Sequence, residues 1–188
     1  MAKKLKGKEW YTLIAPKFFK EKVIGETPTG DAKGLIGRKI DVHLINLVED
    51  LSKYYVKFYF KINKIKDDKA HTDFFGLECM RDYISRLIRY GITRIDTVQN
   101  LTTKDNKNIV IKSIIITSKK IKKNVEIDLK NFIQDKIKKE VESSTLDELI
   151  EKAINDRIKN SVFKDGKKIY PIRAFEIRKM ENKSISTS

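Results

Sequence analysis

The chain has 188 residues, with 41 Lys or Arg against 26 Asp or Glu, a formal net charge of +15, 40% apolar residues and 9% aromatics. Those proportions exclude collagen-like, Gly/Pro-rich low-complexity and wholly disordered chains, because enough apolar surface exists to build a core. A single Cys excludes a disulfide framework and a multi-cysteine zinc site, and no apolar run approaches the roughly 20 residues of a membrane span. The expectation is a soluble, cytoplasmic, strongly basic protein.

Lys3, Lys4, Lys6 and Lys8 make residues 1–9 a basic N-terminal arm, residues 10–180 read as a single domain, and 181–188 as a polar tail. Trp10 to Phe19 is an aromatic-rich strand region that Pro16 breaks. Thr27-Pro28-Thr29-Gly30-Asp31 has the composition of a turn or loop. Ile40, Val42 and Leu44 alternate with Lys39, Asp41 and His43, the period-two pattern of a half-buried strand. From Tyr54 to Ile62 the alternation is clearest: Val56, Phe58, Phe60 and Ile62 share one face, and Tyr55, Lys57, Tyr59 and Lys61 the other. Asp67-Asp68-Lys69 is the expected turn, with Ala70 to Phe75 returning as the partner strand.

Met80, Tyr83, Ile84, Leu87 and Ile88 recur at helical spacing, so a short helix follows this fourth strand region, with Gly91 as its C-terminal cap. Ile92 to Leu101 and the β-branched, apolar run Ile109 to Thr117 pair across a polar connection, the second being the central strand. Leu129, Phe132, Ile133, Ile137 and Val141 mark a helix. Ser143-Ser144 joins it to another, opened by a capping box at Thr145 and Glu148 and carrying a stripe that extends to Ile158. Ile169 to Arg178 is the last strand, with Pro171 pointing to an edge or bulge. The class is α+β, an antiparallel β-rich, barrel-like core with a C-terminal helical hairpin.

Little in this sequence builds a catalytic site. His43 and His71 stand singly, and Cys79 precedes an apolar helical stripe, where a buried structural thiol is the default reading. Asp67-Asp68 and Asp147-Glu148 suit a turn and a helix cap. Gly34-x-x-Gly37 lacks the Lys-Ser/Thr of a P-loop. No catalytic residue, metal or cofactor is expected, and an RNA-processing enzyme would rest on charge alone.

Charge says more, because it speaks to partners. Nucleic acid is the leading partner, since neutralising phosphates releases counterions; an anionic membrane surface comes second. Candidate RNA-binding residues fall in four groups: Lys3, Lys4, Lys6 and Lys8 of the arm; Lys57 and Lys61; Arg81, Arg86 and Arg89; and Lys119, Lys120, Lys122 and Lys123. Tyr55 and Tyr59 add rings to the second group, although an ordinary solvent face of a sheet explains that group slightly better. Trp10 and Tyr11 are better explained by packing on the core than by stacking on a base.

Several segments together resemble one family. Lys8-Glu9-Trp10-Tyr11, Ala15-Pro16 and Ile24-Gly25-Glu26-Thr27-Pro28 are similar to the start of the archaeal and eukaryotic small-subunit ribosomal protein family S-three-A-e. Leu35-Ile36-Gly37-Arg38, Phe74-Phe75-Gly76-Leu77-Glu78-Cys79-Met80-Arg81-Asp82, Ile169-Tyr170-Pro171-Ile172-Arg173 and Glu176-Ile177-Arg178-Lys179 continue the resemblance in order. Without the long basic C-terminal tail of eukaryotic members, it looks like the archaeal form. The resemblance implies a non-catalytic constituent of the small ribosomal subunit with a β-rich core. Its implied place is the platform near the messenger exit, and its implied partners are small-subunit rRNA, neighbouring ribosomal proteins and messenger RNA. It implies no membrane and no small-molecule substrate. A freestanding RNA chaperone is the other alternative.

Overall fold

A computed structural model describes residues 7–48 and 50–185. Lys3, Lys4 and Lys6 lie outside the described residues. The chain divides into two compact units, Met1–Leu77 and Glu78–Ser188.

In the first unit, β1 (Glu9–Ile14) pairs antiparallel with β2 (Val23–Thr29) and parallel with β5 (Lys69–Cys79). β5 pairs with β4 (Val56–Lys66), and β4 pairs antiparallel with β3 (Lys39–His43). The expected α+β class with a mostly antiparallel sheet holds. The barrel does not close, because β2 and β3 are separate edges and do not pair with each other.

The hairpin between β4 and β5 is written in its turn. Asp67 and Asp68 have φ of 49° and 59°, the left-handed pair of a type I′ turn, which matches the twist of the flanking strands. Phe58 and Phe60 are fully buried and Ile62 nearly so. Their rings meet Phe19, whose centroid lies 5.4 Å from Phe58 and 6.0 Å from Phe60, and Phe74 lies 5.8 Å from Phe58. A second cluster joins Tyr11, Leu13, Leu35, Ile62 and Ala70.

Three local expectations for this unit fail. Thr27, Pro28 and Thr29 are strand, not loop, and Pro28 stands opposite Trp10. An edge strand tolerates a residue with no N–H to donate. Leu44 does not continue β3 but opens a one-turn helix, α1 (Leu44–Val48), which buries Leu44 and Leu47. Recovering β2 as a strand also makes the short helix after β5 follow the fifth strand, not the fourth.

The second unit holds β6 (Arg94–Thr102), β7 (Asn108–Thr117) and β8 (Ile172–Asn182), with β7 paired antiparallel to both others. That confirms β7 as a central strand: Ile114, Ile115 and Ile116 have no exposed surface. Pro171 stands one residue before β8, and the pairing skips Arg173 and Arg178 as bulges. Helices α2 (Arg81–Leu87), α3 (Lys123–Glu142), α4 (Leu146–Ile154) and α5 (Arg157–Gly166) complete the unit.

Helix α3 buries Leu129, Ile133, Ile137 and Val141, and Gln99 of β6 donates to its Gln134 carbonyl at 3.0 Å. The capping box of α4 is present as read: Glu148 N–H donates to Thr145 Oγ1, and Thr145 N–H to the Glu148 carboxylate. The apolar stripe does not run through one helix to Ile158, however. Asn155 and Asp156 form a turn, Asp156 is left-handed at φ 54°, and Ile158 belongs to α5. This helix packs beside α3, with the Lys136 ammonium 2.8 Å from the Asp165 carboxylate. Hydrogen bonds from Lys136 and Lys168 hold Asp165 down to about 2.

Candidate nucleic-acid interface

Helix α2 ends at Leu87 with Ile88 as its cap, so Gly91 does not close the helix. It instead takes φ +78° in the turn with Tyr90, where a side chain would be strained. Arg81, Arg86 and Arg89 are exposed along this segment, and Tyr90 is wholly exposed. Sequence reasoning missed Tyr90, although an aromatic residue between Arg89 and Gly91 in a turn was a readable signal.

The four-lysine cluster spans the connection from β7 to α3 and the first residue of that helix, Lys123. Lys119, Lys120 and Lys122 are exposed, and Lys123 is exposed while pairing with Glu126 at 3.0 Å. The connection is tied down by backbone and hydroxyl groups. Ile121 N–H donates to Thr93 Oγ1 at 3.1 Å, and Thr117 Oγ1 donates to the Lys119 carbonyl at 2.6 Å. Thr117 N–H donates to the Thr93 carbonyl, and Ser118 N–H to the Pro171 carbonyl.

Those bonds bring together what the sequence separates. Thr93 leads from Tyr90 into β6, and Thr117 leads from β7 to the lysines. The Arg/Tyr segment and the lysine loop therefore leave the same end of the β6–β7 pair. Lys122 is the N-cap of a 20-residue helix and offers no side-chain acceptor to its N–H groups. Cations there face the positive end of the helix dipole, which is unfavourable by about 0.3–1 kcal/mol each. A phosphate at that end would reverse the sign.

On the first unit the Tyr/Lys face is only partly as expected. Tyr55 precedes β4 and is buried. Lys57 pairs with Asp41 across the strands at 3.2 Å, and Tyr59 and Lys61 are half-buried. Lys39 of β3 sits 3.9 Å over the Phe75 ring. This face is basic and aromatic, but much of its charge is already engaged. Tyr11 packs in the core as expected, whereas Trp10 does not: it is 64% exposed on β1. Alternation along β1 explains both, since only one of two neighbours can face inward. Lys8 is exposed beside it in sequence.

The remaining chemical candidates are structural. Cys79 is buried, and burial, reinforced by the Glu176 carboxylate, pushes its thiol up to about 12, far from a reactive thiolate. Gly37 has φ +86° and donates its N–H to the Ile62 carbonyl, which is a turn and not a phosphate cradle. His43 and His71 are half-buried on β3 and β5. No group of three His, Cys, Asp or Glu side chains with metal-binding geometry occurs among the described residues. None of the helices searched among them is long and apolar enough to cross a membrane.

Comparison with known proteins adds the family. The small ribosomal subunit protein eS1 of Sulfolobus acidocaldarius is 37% identical over 177 residues, covering 94% of this chain and 90% of the relative. The protein of the same name from Saccharolobus islandicus is 36% identical over 176 residues, covering 94% and 85%. That from Sulfurisphaera tokodaii is 34% identical over 176 residues, covering 94% and 91%. The sequence model of the Ribosomal S3Ae family matches residues 1–184, and with that coverage the chain belongs to the Ribosomal S3Ae family.

Proposed function

We propose that this protein is a structural, non-catalytic constituent of the small ribosomal subunit that docks on rRNA through phosphate contacts. The relatives carry that subunit in their names. The observation that carries the reading here is the shared end of the β6–β7 pair, where Thr93, Thr117 and Ile121 tie the segment that follows Arg86 and Arg89 to the loop that carries Lys119, Lys120 and Lys122. Structured RNA offers a regular backbone and 2′-hydroxyls, so shape governs such docking more than base sequence does. Lys3, Lys4, Lys6 and Lys8 of the arm, and the basic face of β3 and β4 with Lys57 and Lys61, are further contacts in this reading. A place on the platform near the messenger exit, with neighbouring proteins and messenger RNA as partners, follows from the family resemblance. Neither an RNA-processing enzyme nor a freestanding chaperone has an observation in its favour.

The test is sedimentation of cell extract followed by salt titration of rRNA binding. The protein should co-migrate with small subunits in high salt; mainly free protein would sink the proposal. Replacing Lys119, Lys120, Lys122 and Lys123 by Gln should flatten the logarithmic salt slope by roughly 3, at about 0.7–0.9 per phosphate contact. An unchanged slope with the fold intact removes this loop from the interface.

A further inference from the structure

Three of the chain's eight arginines fall within nine residues, Arg81, Arg86 and Arg89. Elsewhere, Arg94 holds Asp96 through two bonds of 2.8 and 3.0 Å and Arg38 donates to Thr27, whereas the Arg178 Nε is buried without a hydrogen-bond partner among the described residues. The three at α2 make no hydrogen bond or ion pair among the described residues, although Asp82 lies between them in sequence. Tyr90 is more unusual still. A tyrosine ordinarily buries its ring and wets its hydroxyl, yet this ring is wholly exposed at the tip of a turn.

The turn is anchored and not loose. Gly91 supplies the left-handed residue, and two residues later Thr93 bonds Thr117 and Ile121. The ring is therefore presented from a fixed base, beside free guanidiniums and at the end of the sheet that carries the lysine loop. A paired A-form helix offers such a ring nothing, because its base faces are already stacked. An unpaired base does offer a face, and stacking on an aromatic ring tolerates any base. A protein partner would want an apolar surround to exclude water from the ring. Here the sequence neighbours include Arg86, Arg89 and Gly91, and the apolar ones, Leu87, Ile88 and Ile92, are each only partly exposed, so they form a small apolar rim beside the charges.

We propose that Tyr90 is a stacking platform for one unpaired RNA base, with Arg86 and Arg89 binding the adjoining phosphates. The second unit would thus recognise a single-stranded loop, bulge or end within its RNA, and not only the duplex backbone. This deepens the ribosomal reading and rests on it.

The experiment compares the full chain's affinity for a labelled oligoadenylate single strand and for an RNA duplex at one salt concentration. Tyr90→Ala should weaken single-strand binding about tenfold or more and leave duplex binding within about twofold. Tyr90→Trp should retain single-strand binding, and Arg86→Gln with Arg89→Gln should weaken both. Equal effects of Tyr90→Ala on both RNAs, or none on either, would overturn the proposal. So would loss of the variant from small subunits with both RNA affinities intact, because that marks a protein contact. If wild-type protein still co-migrates with subunits in high salt, only the role of Tyr90 fails. If it does not, the ribosomal reading fails with it.

Discussion

Glu176 stands in β8 with a side chain only 9% exposed, accepting the Lys159 ammonium at 2.5 Å and the Tyr83 hydroxyl at 3.1 Å. Burial raises its pKa, and the bonds from Lys159 and Tyr83 offset that only in part. A raised carboxyl favours folding below its unfolded value near 4.5, and that contribution is lost as pH rises through the folded value. At neutral pH the charged form therefore depends on Lys159. Lys159→Ala should cost about 2 kcal/mol at pH 7, less than the ~3–5 of a fully buried pair because Lys159 is 27% exposed. The deficit should shrink toward pH 4, where the carboxyl takes a proton and no longer needs the ammonium. Thermal melts of both proteins at the two pH values check this, and an equal deficit at both would show that packing, not charge, is what Lys159 contributes.

At the scale of elements, α4 joins local and distant caps. Thr145 and Glu148 close the box, while Leu146 N–H donates to the Asp105 carboxylate from the β6–β7 connection at 3.2 Å. Thr145→Ala should cost about 1 kcal/mol in denaturant melts, with the slope of the transition unchanged. The local cap was legible in four residues; the Asp105 contact, 41 positions away, was not. That division runs through the whole chain. The β4–β5 hairpin, the β6–β7 pair and the stripe of α3 were readable because period and turn chemistry act over a few residues. The α4–α5 break was hidden because the apolar spacing continues across it, and only the left-handed Asp156 interrupts the helix. Pro28 misled because its composition says turn, while an edge strand accepts it. The basic clusters were legible singly, but their meeting depends on Thr93 and Thr117, which carry no charge and no motif.

Over the whole molecule, +15 is the charge left after the ion pairs have cancelled their own. Exposed pairs such as Lys138–Glu142 and Lys123–Glu126 contribute about 0–1 kcal/mol each and weaken in salt. Each pair, though, is neutral beyond its own contact, whereas the unmatched cations repel across every distance shorter than a Debye length. Repulsion should win, so salt should stabilise the free protein even as it weakens RNA binding. Raising salt from about 0.05 to 0.5 M, where screening length falls several-fold, should lift the melting temperature by about 2–4 °C, what roughly 1 kcal/mol is worth in a chain of this size. The variant with Gln at 119, 120, 122 and 123 carries +11. It should start from a higher melting temperature at low salt and gain less from added salt. A melting temperature that falls with salt would mean that the ion pairs outweigh the excess charge. The charge excess would then be no reservoir of strain for RNA to relieve, and binding would have to draw its energy from specific contacts such as Tyr90.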